Sequence, residues 1–433
     1  MGQTIEQKLS DIYVSNLDII GEGFPAAFIA PRSGYIENFM LLGLPSGRDE
    51  RYLHSDVRQL FASEERETYF TQLSERGEFD PLDAIEGRRI VVENGFCSEQ
   101  MVRTLPDGVI FGSLRDAATR YEELVLRHYN AVADNGGDAL TALNSAFMQD
   151  GAFLYVPSGV HAAEKFLIDM RFASAESAQL CFSRMLVVVE DGASVEVAVI
   201  WRTAGDTRFL VNGVREAIVG RDASLTLTEV NRMGVGSNLV LNGYVRQESG
   251  SRAETTVDEL GEGFARMGYA TDLIGRDAES KLWGLYLAGG EEHASIAVEV
   301  RHQVPSCRSY ELVKGIASGS AVGSFSGLVY VAPGAQQTDA MQQNRNLQMS
   351  DTARIYTRPQ LEIYADDVKC SHGSTIGQLD DEAVYYMRQR GIGEAEARRM
   401  QLFGFVDDII SRCGCESLCE YVREAARDRL ETI

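Results

Sequence analysis

The chain is 433 residues long, which suits two to four domains. Its 41 lysines and arginines against 64 acidic residues leave a net charge of −23, which argues against unaided binding to nucleic acid or an anionic membrane. With 44% hydrophobic and 24% charged residues the composition excludes wholesale disorder and a fibrous class, and 41 glycines against 9 prolines suit a chain of many short strands with glycine corners.

The first ten residues are polar, with Glu6 and Lys8, and hold no apolar segment of a secretory signal. Apolar runs such as Met185 to Val189 fall far short of the roughly 20 residues that cross a bilayer. Seven cysteines on such a chain read as reduced thiols, so a cytoplasmic location without disulfides is expected.

Residues 1–150 read as a mostly helical domain with a small strand element. Asp49 to Ala62 and Arg115 to Val132 place apolar side chains at helical spacing. Between them Arg89 to Glu93 and Val109 to Leu114 read as strands, with Asn94-Gly95 a turn signal after the first. From Gly151 a repeat takes over. Ala193-Ser194-Val195-Glu196-Val197 recurs thirty residues on as Ala223-Ser224-Leu225-Thr226-Leu227, and again as Ala253-Glu254-Thr255-Thr256-Val257. A fixed period with a turn and an alternating strand in each unit predicts a β-helix of about one coil per thirty residues over 151–378. Val195, Val197, Leu225 and Leu227 then point inward. Gln342, Gln343, Asn344, Asn346 and Gln348 crowd one coil, where polar stacking or turn hydrogen bonding accounts for them. Residues 379–433 lose the β period and read as three helices, Asp380 to Arg390, Glu394 to Arg412 and Glu416 to Leu430.

No phosphate-cradling loop, G-x-S-x-G or H-E-x-x-H is present, and Gly21-Glu22-Gly23 with Ala26 lacks the βαβ context of a dinucleotide site. The best chemical cluster is Asp366-Asp367-Val368-Lys369-Cys370-Ser371-His372-Gly373. On a strand, Cys370 and His372 share a face, and thiolate with imidazole suits iron or zinc, with Asp366 and Asp367 as harder ligands. Two ligands are half a site, and an ordinary thiol beside a hydrogen-bonded histidine also fits the residues. Cys413, Cys415 and Cys419 have no fourth ligand nearby and read as buried thiols; His161, His293 and His302 read as structural. In the tail, Met400, Phe403, Val406 and Ile410 form an apolar stripe that must be covered by the solenoid or by a partner.

The stretch from Arg301-His302 through Phe325-Ser326-Gly327, Ala335-Gln336-Gln337-Thr338-Asp339-Ala340, Arg358-Pro359-Gln360-Leu361-Glu362-Ile363 and Cys370-Ser371-His372-Gly373 to Tyr385-Tyr386-Met387-Arg388 resembles the SufB/SufD family of the SUF iron–sulfur cluster assembly system. Weaker likeness upstream, at Ile90-Val91-Val92-Glu93-Asn94-Gly95 and Val156-Pro157-Ser158-Gly159-Val160, extends it over most of the chain. The Cys-Ser-His-Gly form is similar to the SufD branch.

The resemblance implies a mainly β fold, a right-handed parallel β-helix flanked by N-terminal and C-terminal helical domains. It implies a non-catalytic scaffold that pairs with a SufB-like paralogue and docks a SufC-like ATPase through the C-terminal helices, hence through Met400, Phe403, Val406 and Ile410. A homodimer is the expectation for the isolated chain. His372, with Cys370 beside it, then faces the paralogue where a transient iron or iron–sulfur cluster is handled. The competing classes are a carbohydrate-active β-helix enzyme, for which the acidic and aromatic platforms are missing and only Trp201 and Trp283 are on hand, and a permease component, for which spans are missing.

Overall fold

A computed structural model describes residues 3–62, 67–68, 77–98, 102–173, 178–205 and 207–433. Two parallel sheets form its body. One takes Ala152–Val156, Gln179–Val189, Phe209–Val219, Asn238–Gln247, Phe264–Leu273, His293–His302, Val322–Val331 and Arg354–Ile363. The other takes Phe166–Phe172, Ser194–Thr203, Ser224–Arg232, Arg252–Glu259, Glu279–Ala288, Arg308–Ala317, Asp339–Gln348 and Lys369–Gly377. The chain alternates between the sheets, giving a parallel β-solenoid of about seven turns.

Alternation decides which side chains enter the lumen. Val195, Val197, Leu225 and Leu227 all lie in the core between the sheets, as the strand period requires. Val195 pairs with Leu225 thirty residues on, but Leu225 pairs with Ala253, only twenty-eight on, so the third repeat sits two residues out of the expected alignment. A slip of two keeps the same face inward, and Ala253 is still buried.

The corners have a backbone signature. Gly192, Asp222, Gly250, Asp277, Ser306 and Gln337 all have positive φ, and each stands two residues before a strand of the second sheet. This corner is paid for locally: a left-handed residue reverses the chain, and where it carries a side chain that conformation costs about 1 kcal/mol. Asn94 and Gly95, φ 51° and 89°, turn the strand Arg88–Glu93 back into an antiparallel pair with Phe96–Cys97, as the turn signal predicts.

Helices cover the outer faces. On the first sheet, Leu180, Phe182, Leu210 and Val240 pack under the helix Ala139–Phe147 and the N-terminal helices. On the second, Ile200, Val230, Leu285, Leu287 and Ile316 pack under the helices Glu394–Ile410 and Glu416–Thr432. Two expected helices are broken. Asp49 to Ala62 splits into a 3₁₀ turn, Glu50–Tyr52, and a helix, Val57–Ala62, around His54 with φ 64°. Tyr52 is drawn inward, where its hydroxyl donates to Asp138 at 2.7 Å. Arg115 to Val132 splits into Leu114–Arg120 and Glu122–His128, and the chain then unwinds so that the N–H groups of Asn130, Val132 and Ala133 reach the buried Glu216 carboxylate at 2.9–3.1 Å. Among the described residues, no helix is long and apolar enough to cross a membrane.

Candidate functional site at the open end of the solenoid

Arg354–Ile363 and Lys369–Gly377 are the last strands of their sheets, and each is paired along one edge only among the described residues. Their backbone groups on the other edge are a template for a further strand. In Lys369–Gly377 every residue but Cys370 is exposed, whereas the inward residues one strand back, Gln342, Asn344 and Asn346, are buried. The lumen opens here.

Register puts Cys370 beside Ala340 and His372 beside Gln342, so both side chains stand on the lumen side of the last strand. Cys370 is half-buried against the cluster of Val329, Val331, Ala335 and Ala365, and burial pushes its thiol upward. His372 is exposed and lines a concavity of about 300 Å³ with Gln342, Asn344, Ser371, Ser374 and Thr375. Asp366 and Asp367 sit exposed in the corner before the strand, where the Asp367 N–H donates to the Gln336 side chain at 2.8 Å and its carbonyl accepts from Gln337. Among the described residues no three His, Cys, Asp or Glu side chains gather closely enough to hold a metal ion. This chain thus presents a soft and a borderline donor at its rim, and completing a coordination sphere requires donors from elsewhere.

Behind the rim lie polar groups that strand alternation alone does not single out. Gln342 donates to the buried carboxylate of Glu311 at 2.9 Å, and burial pushes Glu311 up to about 7. Tyr286 crosses the lumen to donate to Asn346 at 2.7 Å, over Gly315 and Gly323, where any Cβ would overlap its ring. Asn344 and Asn346 donate to the Val313 and Thr375 carbonyls at 3.1 and 3.2 Å, so the amide-rich coil does stack by hydrogen bonding.

The other singled-out residues separate cleanly. Val406 and Ile410 are fully buried against the second sheet, which corrects the expectation that they bind a partner: the solenoid itself covers that side of the helix. Phe403 packs at the margin beneath Arg427, and Met400 stays 49% exposed; Tyr385 and Tyr386 are exposed on the helix Asp381–Gln389, which packs against this one. Cys413, Cys415 and Cys419 are buried where the tail meets the solenoid. His161, His293 and His302 each hydrogen bond a serine hydroxyl, at 2.9, 3.0 and 2.9 Å.

Comparison with known proteins assigns this architecture. The family model "SUF system FeS cluster assembly, SufBD core domain" matches residues 171–405, and "SufBD protein N-terminal region" matches residues 3–167. The chain belongs to the SufB/SufD family. A SufBD-family iron–sulfur cluster assembly protein of Synechocystis is 28% identical over 413 residues, 92% of this chain and 90% of the relative. The iron–sulfur cluster assembly protein SufD of Bacillus subtilis is 27% identical over 72% of this chain and 71% of its own length. SufD of Escherichia coli is 36% identical over 171 residues, 40% of each chain. SUF iron–sulfur cluster assembly is therefore the process this SufBD protein serves, and the open solenoid end is where His372 meets solvent.

Proposed function

We propose that this chain is a non-catalytic scaffold subunit of the SUF machinery. It pairs through its open solenoid end with a SufB-like paralogue, and iron or a nascent cluster is handled between them. The observation that carries this is the last strand: Cys370 and His372 stand on its lumen side, at an edge whose backbone is unpaired among the described residues. A second solenoid abutting that edge supplies strand pairing and the missing ligands together. Iron is cargo here, held between subunits and passed on.

A SufC-like ATPase docks on the C-terminal helices. Because Val406 and Ile410 are spent on the solenoid, the surface open to it is Tyr385, Tyr386 and Met400.

The test is His372→Ala in the complex isolated anaerobically from cells. Folding, paralogue pairing and ATPase binding are expected to persist, while iron and acid-labile sulfide fall several-fold. Wild-type levels of both would sink the reading.

A further inference from the structure

The lumen holds polar side chains in inner coils, Arg215 with Glu229 among them, and near the rim they fall in a defined file. Strand pairing lines up Val197, Leu227, Thr255, Leu282, Glu311, Gln342 and His372. The last three place a carboxyl, an amide and an imidazole where the earlier positions hold aliphatic side chains and one threonine. Adjacent strands lie about 4.8 Å apart, so Glu311 stands roughly 10 Å inside the rim marked by His372.

Glu311 is 1% exposed and Gln342 fully buried. They share one hydrogen bond, from Gln342 Nε2 to Glu311 Oε2 at 2.9 Å. Among the described residues, Glu311 Oε1 and Gln342 Oε1 have no partner. Leaving a buried acceptor unpaired costs about 1–3 kcal/mol, and here two lie in contacting side chains. On the facing wall Gly327 makes room for the Gln342 amide, which a Cβ there would overlap. Gln342 also lines the concavity that holds His372, so the buried pair communicates with the rim.

Two oxygen acceptors without a donor, next to an imidazole, form the start of a site for a hard-to-borderline divalent cation. We propose that Glu311 and Gln342 form an inner cation site in the lumen, which takes a divalent ion of the Fe²⁺/Mn²⁺ class from His372 and holds it away from solvent. This deepens the reading of the rim as an iron-handling surface and rests on that reading for the identity of the cation.

The probe is Mn²⁺, titrated into the full-length chain under anaerobic conditions, with free ion followed by its paramagnetic resonance signal. Wild type is expected to bind one ion per chain. Glu311→Gln keeps the shape and the Gln342 contact, and is expected to weaken binding at least tenfold. Gln342→Glu adds a second carboxylate and is expected to tighten it about tenfold, a gain that a merely structural role does not produce. Glu259→Gln, a buried carboxyl already held by Asn231 and the Gly261 N–H, is expected to leave binding unchanged.

Failure of the wild-type chain to bind Mn²⁺ would overturn the inner site, as would Glu311→Gln binding within twofold of wild type while retaining the native circular dichroism. Binding lost in His372→Ala alone would overturn it too, yet leave the rim reading intact. Conversely, normal cluster accumulation by the His372→Ala complex removes the rim reading without touching the Glu311 result.

Discussion

Asp258 lies on the outer face of the second sheet, sealed under the tail. The Cys413 thiol donates to its Oδ2 at 3.2 Å, Oδ1 has no partner among the described residues, and burial pushes the carboxyl up to about 7. The folded form therefore holds a proton that the unfolded chain releases near its ordinary value of 3.8. The stability this contributes is complete below that value and is lost as pH rises through 7. Over the whole window the shift corresponds to about 4 kcal/mol, and between about pH 6 and 8 a single such group loses about 1.4 kcal/mol. Asp258→Asn mimics the neutral form. It is expected to be the more stable protein at both pH values, by about 3 kcal/mol at the lower and about 4 at the higher. Cys419, which hydrogen bonding with Cys413 lowers to about 7, titrates in the opposite sense, and its charge adds to the raising of Asp258. Urea unfolding followed through Trp283, which lies under Arg412 at 3.7 Å in this seam, measures that difference. Wild-type and Asp258→Asn stabilities that run parallel between the two pH values would refute the argument.

The lumen assignment predicts that Leu225→Asp destabilises by at least about 3 kcal/mol, while Ser224→Asp, one residue away on the outer face beside Arg252, stays within about 0.5 kcal/mol by chemical denaturation. Gly315→Ala forces Tyr286 from its path across the lumen and is expected to cost about 1–3 kcal/mol. In the Tyr286→Ala background the same change is expected to cost almost nothing, and an additive double mutant would contradict the crossing. Replacing Tyr385, Tyr386 and Met400 together by alanine is expected to leave the melting temperature within a few degrees of wild type and to abolish ATPase pull-down. Deleting the tail tests docking poorly, because it strips the cover from Leu285, Leu287 and Ile316.

The strand period made the solenoid legible, since one side chain in two must be apolar wherever a lumen is filled. It fixed the inward face of Val195, Val197, Leu225 and Leu227 even though the third copy was misaligned by two residues. Cys370 and His372 were placed on one face by the same period. The corners were harder to read. Glycine occupies two of the six left-handed positions, and aspartate, serine or glutamine the rest, so no single residue type marks them. Glu311 was hidden for a related reason: a lone carboxylate in an alternating strand looks like a surface residue until register puts it beside Gln342. The helix break at His54 and the unwinding after His128 come from side chains and backbone groups pulled toward Asp138 and Glu216, partners 83 and more residues away that helical spacing does not contain. Val406 and Ile410 were legible as a covered apolar stripe, but periodicity reports that a face is buried and not by what, and the partner the resemblance implied is replaced there by the second sheet.

The single paired edge of Lys369–Gly377 gives the molecule a gradient along its axis. In a stack whose coils are steadied by their nearest neighbours, an inner coil opens only by breaking two interfaces and the terminal coil by breaking one. Amide hydrogens of residues 369–377 should exchange first, and fraying should travel inward from that rim, since local opening follows the cooperative units of the fold. Whatever docks on this edge converts the terminal coil into an inner one. The order of the strand that carries Cys370 and His372 is then set by the occupancy of its neighbour's place as much as by its own sequence.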